Sequence, residues 1–148
     1  MDKKKILIAS DHAGFELKEK FLKSSNLFPE VEFLDLGPKD GTSVDYPDFA
    51  KKLSLELLKG RANEGVLICG SGQGMAIQAN RFKGIRAALC WNAAVAKLSR
   101  EHNNSNVLCL ASRVVDEKTN IEILKTWLDT QFLGGRHLAR VEKIDSPL

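Results

Sequence analysis

Ten consecutive residues constrain this chain more than any others: Val66-Leu67-Ile68-Cys69-Gly70-Ser71-Gly72-Gln73-Gly74-Met75. An unbroken apolar run ends at a thiol, and three glycines follow within five residues. A run that short, closed by glycine, predicts a strand buried on both faces of a sheet. Alternate glycines let the backbone turn sharply and bring its N–H groups close to a ligand. The residues from Met75 to Arg81 read as a short helix, which places the loop at a helix N-terminus, where anions are held. A nucleophile or base beside such a cradle is an active-site arrangement, and it is equally the arrangement of a nucleotide site.

The rest of the chain repeats the same alternation. Strands are predicted at Ile6–Ser10, Val31–Leu36, Val66–Cys69, Ile85–Cys90 and Asn106–Leu110. Between them, helical spacing runs from Phe15 to about Asn26, from Asp45 or Tyr46 to near Gly60, from Met75 to Arg81 and from Asn92 to Arg100. A long helix opens at Asp116 or Glu117 and closes before Gly134-Gly135, and the basic tail Arg136–Val141 adds one or two turns. Five short strands alternating with helices predict an α/β fold, a parallel sheet covered on both faces. In such sheets the ligand lies beyond the carboxyl ends of the strands.

Length and composition narrow the field. A chain of 148 residues suits one domain, spanning 1–148. The net charge of +3 is mild and the lysines are dispersed, which argues against a nucleic-acid partner. The basic start is followed by an apolar run too short for a signal peptide, and no stretch has the roughly 20 apolar residues of a membrane span. Cys69, Cys90 and Cys109 are odd in number and far apart, and His12, His102 and His137 have no metal-ligand spacing. Free thiols, no disulfide, no metal and a cytoplasmic location are expected.

Several residues have two readings each. Cys69 is either a core thiol or a reactive one, since a helix N-terminus makes a neighbouring thiol more acidic. Asp11 either caps the first helix or works in a site past the first strand. His12 and His102 are loop histidines or catalysts. Cys109, inside a strand, reads as core. Arg113 follows the fifth strand. Arg136 and Arg140, four apart, share one side of a helical turn, as a solvated face or an anion site. The Gly-x-Gly-x-Gly loop is a poor dinucleotide fingerprint: it follows the third strand, Met75 takes the last glycine position, and Leu89 and Cys90 stand where an acidic residue is needed. A nicotinamide cofactor is disfavoured.

Six short motifs occur together and in order: Ser10-Asp11-His12-Ala13-Gly14, Asp45-Tyr46-Pro47, Ile68-Cys69-Gly70-Ser71-Gly72, Ser99-Arg100-Glu101-His102-Asn103, Ser112-Arg113-Val114-Val115 and Gly134-Gly135-Arg136-His137. Over residues 5–142 the chain resembles the type B ribose-5-phosphate isomerase family, which includes galactose-6-phosphate isomerase subunits. The resemblance implies a Rossmann-like three-layer α/β/α sandwich around a five-stranded parallel sheet. It also implies a homodimer or dimer of dimers, with metal-free and cofactor-free sites at the dimer interface.

By the same resemblance, Cys69 is the base that moves a proton between C1 and C2 of the sugar phosphate. Ser71 and the loop amides of Gly70, Gly72, Gln73, Gly74 and Met75 hold the enediolate oxygen. His102 opens the furanose ring with help from Asp11, Asn103 binds the sugar, and His12, Arg113, Arg136 and Arg140 take the phosphate end. Some members use a glutamate of the glycine loop as base; Met75 stands there, so this chain goes with the cysteine users. Elementary chemistry agrees. A developing oxyanion is stabilised by fixed N–H donors, each worth about 3–4 kcal/mol of barrier. Guanidinium forks match phosphate, and histidine titrates where an acid is needed. The alternatives are an allose- or galactose-6-phosphate isomerase using the same enediol and, from a different class, a non-catalytic phosphosugar- or nucleotide-binding module. The second has no use for an acid and a base together.

Overall fold

The computed structural model describes residues 2–24 and 26–147. Strands β1 (Lys4–Ser10), β2 (Val31–Asp35), β3 (Glu64–Cys69), β4 (Ala87–Leu89) and β5 (Val107–Ala111) form one sheet in the order β2-β1-β3-β5-β4. Every neighbouring pair is parallel. Helices α1 (Phe15–Lys23), α2 (Tyr46–Leu58), α3 (Gln73–Ala79), α4 (Ala93–Glu101), α5 (Glu117–Asp129) and α6 (Arg136–Ile144) complete the described elements. The fold is the expected three-layer, Rossmann-like α/β/α arrangement.

Strand alternation builds the two cores. Ile6, Ile8, Val66, Ile68, Leu108 and Leu110 point to the face covered by α1, α4 and α5, where Phe21, Ala96, Leu124 and Trp127 pack on them. Their sequence neighbours Leu7, Ala9, Leu67, Cys69, Val107 and Cys109 point to the face covered by α2 and α3, meeting Leu53, Leu57, Met75 and Ala79. With both faces buried, the central strands read as continuous apolar runs.

The strand order reverses direction between β1 and β3, the kind of point beyond whose carboxyl ends open parallel sheets hold their ligands. The seam is closed by backbone: the Asp11 N–H donates to the Ile68 carbonyl at 3.1 Å. Gly14 lies against the same carbonyl so tightly that a Cβ there would stand 2.5 Å from its oxygen.

At the opposite edge, Arg100 gathers three segments. Its guanidinium donates to the Thr130 and Ser105 carbonyls, pairs with buried Glu64 at 3.4 Å and stands 5.0 Å over the Trp127 ring.

Some boundaries differ from expectation. The third helix starts at Gln73 rather than Met75, because Gly72 turns the chain with φ +76. The fourth strand keeps only Ala87–Leu89; Asn106 replaces the missing ladder, its side chain accepting from the Arg86 N–H and donating to the Gly84 carbonyl. The first helix ends at Lys23, and Ser25, within its expected reach, lies outside the described residues. The fifth helix stops at Asp129, and the tail forms a nine-residue helix reached through Gly134 and Gly135, with φ +67 and +54. A Cβ at either glycine would have nothing within 4 Å.

Replacing Gly14 by alanine should cost about 3 kcal/mol, since a methyl group is forced against a fixed carbonyl. Urea unfolding measures it; a loss under 1 kcal/mol on the order-of-magnitude scale for surface changes would show the seam to be loose.

Candidate active site

Three loops meet at the carboxyl edge. Ser112, just past β5, ties them: its Oγ donates to the Ala13 carbonyl at 2.8 Å and to the Cys69 carbonyl at 3.2 Å, while its N–H also reaches Cys69 O at 2.9 Å. The Arg113 N–H then donates to the Gly70 carbonyl at 3.0 Å, and the Arg113 side chain runs past the Gly70 Cα. Asp11, His12, Cys69–Met75 and Arg113 therefore share one small surface.

Within it, the thiol is held by its own loop. The Gly72 N–H donates to Cys69 Sγ at 3.2 Å. Cys69 is buried but not sealed, with 5% exposure against 0% for Cys90 and Cys109. Burial pushes the Cys90 thiol up to about 11, partly offset by a hydrogen bond with Ser99, and pushes Cys109 well above the ordinary thiol range. Those two stay protonated near neutral pH and belong to the core.

The other members of this cluster are placed as follows. Asp11 Oδ1 accepts the Gly14 N–H at 3.0 Å, with Gly14 itself in the cap position of α1, and the residue stays at the edge beside the thiol loop. His12 Nδ1 lies 3.2 Å from the Val44 backbone, fixing the ring against the segment that leads into α2. Ser71 is exposed and its Oγ accepts the Gln73 N–H at 3.3 Å. Met75, by contrast, is fully buried, so only its backbone belongs to the loop surface.

Tyr46 was given no role in the sequence reading. Its ring covers Gly74 so closely that a Cβ there would lie 2.4 Å from it. Its motif, Asp45-Tyr46-Pro47, marks the start of α2, but only the fold brings that start over the glycine loop.

The remaining candidates are elsewhere in the chain. His102 is the C-cap of α4, which runs back from the carboxyl end of β4 toward the amino end of β5. The Leu133 N–H donates to the Glu101 carbonyl, bringing the start of α6 to the same end. His102, Asn103, Arg136 and Arg140 thus cluster at the amino edge of the sheet. Cys69 is level with Ala111 at the other end of β5, so a strand length of roughly 13 Å or more separates them. Within one chain the structure therefore gathers the candidates into two separate clusters, a thiol half and a histidine half, at opposite ends of the sheet.

A concavity of about 590 Å³ lies near Asn103, Arg86 and Asp145, on the histidine side. Exposed apolar side chains accompany both halves: Ile77, Trp91 and Val114 near the carboxyl edge, Leu133 and Leu138 near the amino edge. Among the described residues, no group of three or more His, Cys, Asp or Glu side chains is placed to hold a metal ion, and no helix is long and apolar enough to cross a membrane.

A family model described as Ribose/Galactose Isomerase matches residues 6–144. The ribose-5-phosphate isomerase B of Escherichia coli is 43% identical over 142 residues, covering 95% of this chain and 94% of that protein. Among solved structures, a ribose 5-phosphate isomerase from Thermotoga maritima has a TM-score of 0.90 at 50% identity, covering 95% of this chain and 97% of its own. The type B enzyme of Trypanosoma brucei has a TM-score of 0.91 at 40% identity, covering 97% of each chain.

A thiol-selective reagent applied to the native protein at pH 8 should label Cys69 first, with Cys90 and Cys109 reacting only on unfolding. Peptide mapping after partial labelling checks the order, and early labelling of Cys90 would refute it.

Proposed function

This chain belongs to the ribose/galactose isomerase family, and from its two half-sites we propose that it interconverts ribose 5-phosphate and ribulose 5-phosphate between two copies of itself. The carrying observation is the separation of the thiol half from the histidine half along β5. A two-fold pairing that sets one copy's carboxyl edge against the other's amino edge completes both sites at once, as an isologous interface requires. It also covers the exposed apolar side chains that border each half.

In the completed site, Arg113 and His12 of one copy and Arg136 and Arg140 of the other hold the phosphate. The two arginines of α6 are one helical turn apart and both exposed, which suits bidentate capture of an anion. His102 gives a proton to the ring oxygen while Asp11 takes the proton of the C1 hydroxyl, and the furanose opens to the aldehyde. Asn103 holds the open sugar by its hydroxyls. Cys69, as thiolate, removes the proton from C2; the electron pair moves to form the C1–C2 double bond, and the negative charge settles on the former aldehyde oxygen.

The loop amides and Ser71 meet that charge with donors already in place, so little reorganisation is needed at the moment of reaction. The thiol returns the proton to C1, the C2 hydroxyl proton passes to O1, and the ketose results. Every atom is conserved and no redox partner is used. Cys69 suits the role because it sits at the loop, accepts a loop amide, and is the cysteine of the three with residual exposure.

Cys69→Ala should lower kcat for ribose 5-phosphate by about 10³ or more, in the range for a lost general base. It should also stop solvent hydrogen exchange at C1 of ribulose 5-phosphate, while substrate still binds. An active variant would remove Cys69 from the role. A second measurement addresses the pairing. Cys69→Ala and His102→Ala, each inactive alone, should recover about a quarter of wild-type activity when equal amounts are unfolded and refolded together, because half the dimers are mixed and each carries one intact site. No recovery would place the whole site within one chain.

A further inference from the structure

His137 is used by none of the steps above, yet it is a buried histidine on an otherwise exposed turn, between Arg136 and Leu138. Its ring lies face to face with that of His102, centroids 4.3 Å apart and planes within 15°. We infer that His137 is a positioning residue for His102, holding the plane of that imidazole by stacking so that its proton is aimed at the ring oxygen of a bound furanose.

Three observations carry the inference. First, the His102 ring has no hydrogen-bond partner among the described residues; its backbone N–H is taken up by the Leu98 carbonyl, and the side chain projects from a helix end. A histidine so placed turns freely about its last torsion unless something flat lies against it. Second, the contact is built from both sides. The Leu133 N–H pins the approach to α6 on the Glu101 carbonyl, Gly134 and Gly135 turn the chain, and the His137 N–H returns to the Gly134 carbonyl at 3.0 Å. Third, the surroundings of His137 disfavour its charged form. Burial holds His137 below the ordinary imidazole range, reinforced by His102, Arg136 and Arg140 and opposed by Glu101. Two stacked imidazolium rings repel, and a His137 held neutral removes that repulsion from the stack.

The inference rests on the reading of His102 as the ring-opening acid, and the experiment separates the two. Two rates are measured for each variant: turnover of ribose 5-phosphate, which must open a ring, and hydrogen exchange at C1 of ribulose 5-phosphate, which has no ring to open. His102→Ala is the reference and should depress turnover far more than exchange. His137→Ala should depress turnover about 10- to 100-fold, the scale of a misaimed catalytic group, and leave exchange within about threefold. His137→Phe, which keeps a flat ring, should recover most of the turnover.

If His102→Ala loses both rates equally, the ring-opening reading itself fails. If His102→Ala shows the split and His137→Ala does not, only the positioning role fails. Equal loss of both rates in His137→Ala, or a phenylalanine variant no better than alanine, also overturns it.

Discussion

The contact on which this molecule depends is a main-chain seam at the reversal point of the sheet. A carbonyl at the end of β3 receives the N–H of Asp11, and Gly14 presses on the same group because it has no side chain. Ser112 repeats the device one strand further, joining the Ala13 and Cys69 carbonyls through one hydroxyl. Three loops that would otherwise be independent are thereby fixed to one another by backbone. Loop residues serve catalysis only when a rigid scaffold aims them, and here the scaffold extends into the loops.

That seam explains how much of the fold could be read in advance. The buried strands announce themselves as apolar runs, and the helices by their spacing, so the layer order follows from the alternation alone. The ends are less legible. Asn106 shortens the edge strand by substituting side-chain hydrogen bonds for a ladder, and no local pattern distinguishes such an asparagine from a loop residue. Gly72, with its left-handed backbone, starts α3 two residues early because glycine needs no cap to turn the chain.

For the site, composition and spacing pointed to Cys69, its glycine loop and Asp11, since all sit where a parallel sheet presents its ligand. Resemblance added Asn103 and gave His102 and the arginines of α6 their roles, but not their place in the fold of one chain. Their position follows from the course of α4, which must return across the whole sheet before β5 can run parallel to β4. Tyr46 and His137 stand in the sequence motifs without a legible role for another reason. Each matters through a contact with a residue far away in sequence, Gly74 in one case and His102 in the other, and such pairings exist only once the chain is folded.

The turn at Gly134 and Gly135 has a wider meaning. A side chain at either glycine would meet nothing within 4 Å, while the helix that the turn introduces carries two exposed arginines and is held to the rest of the chain through His137 and through Asp145, which accepts the Gly84 N–H and pairs with Arg86. In the proposed reaction, reach toward a substrate's anionic terminus would then be set by this turn and reactivity at its carbonyl carbon by the glycine loop, two segments that share no residue.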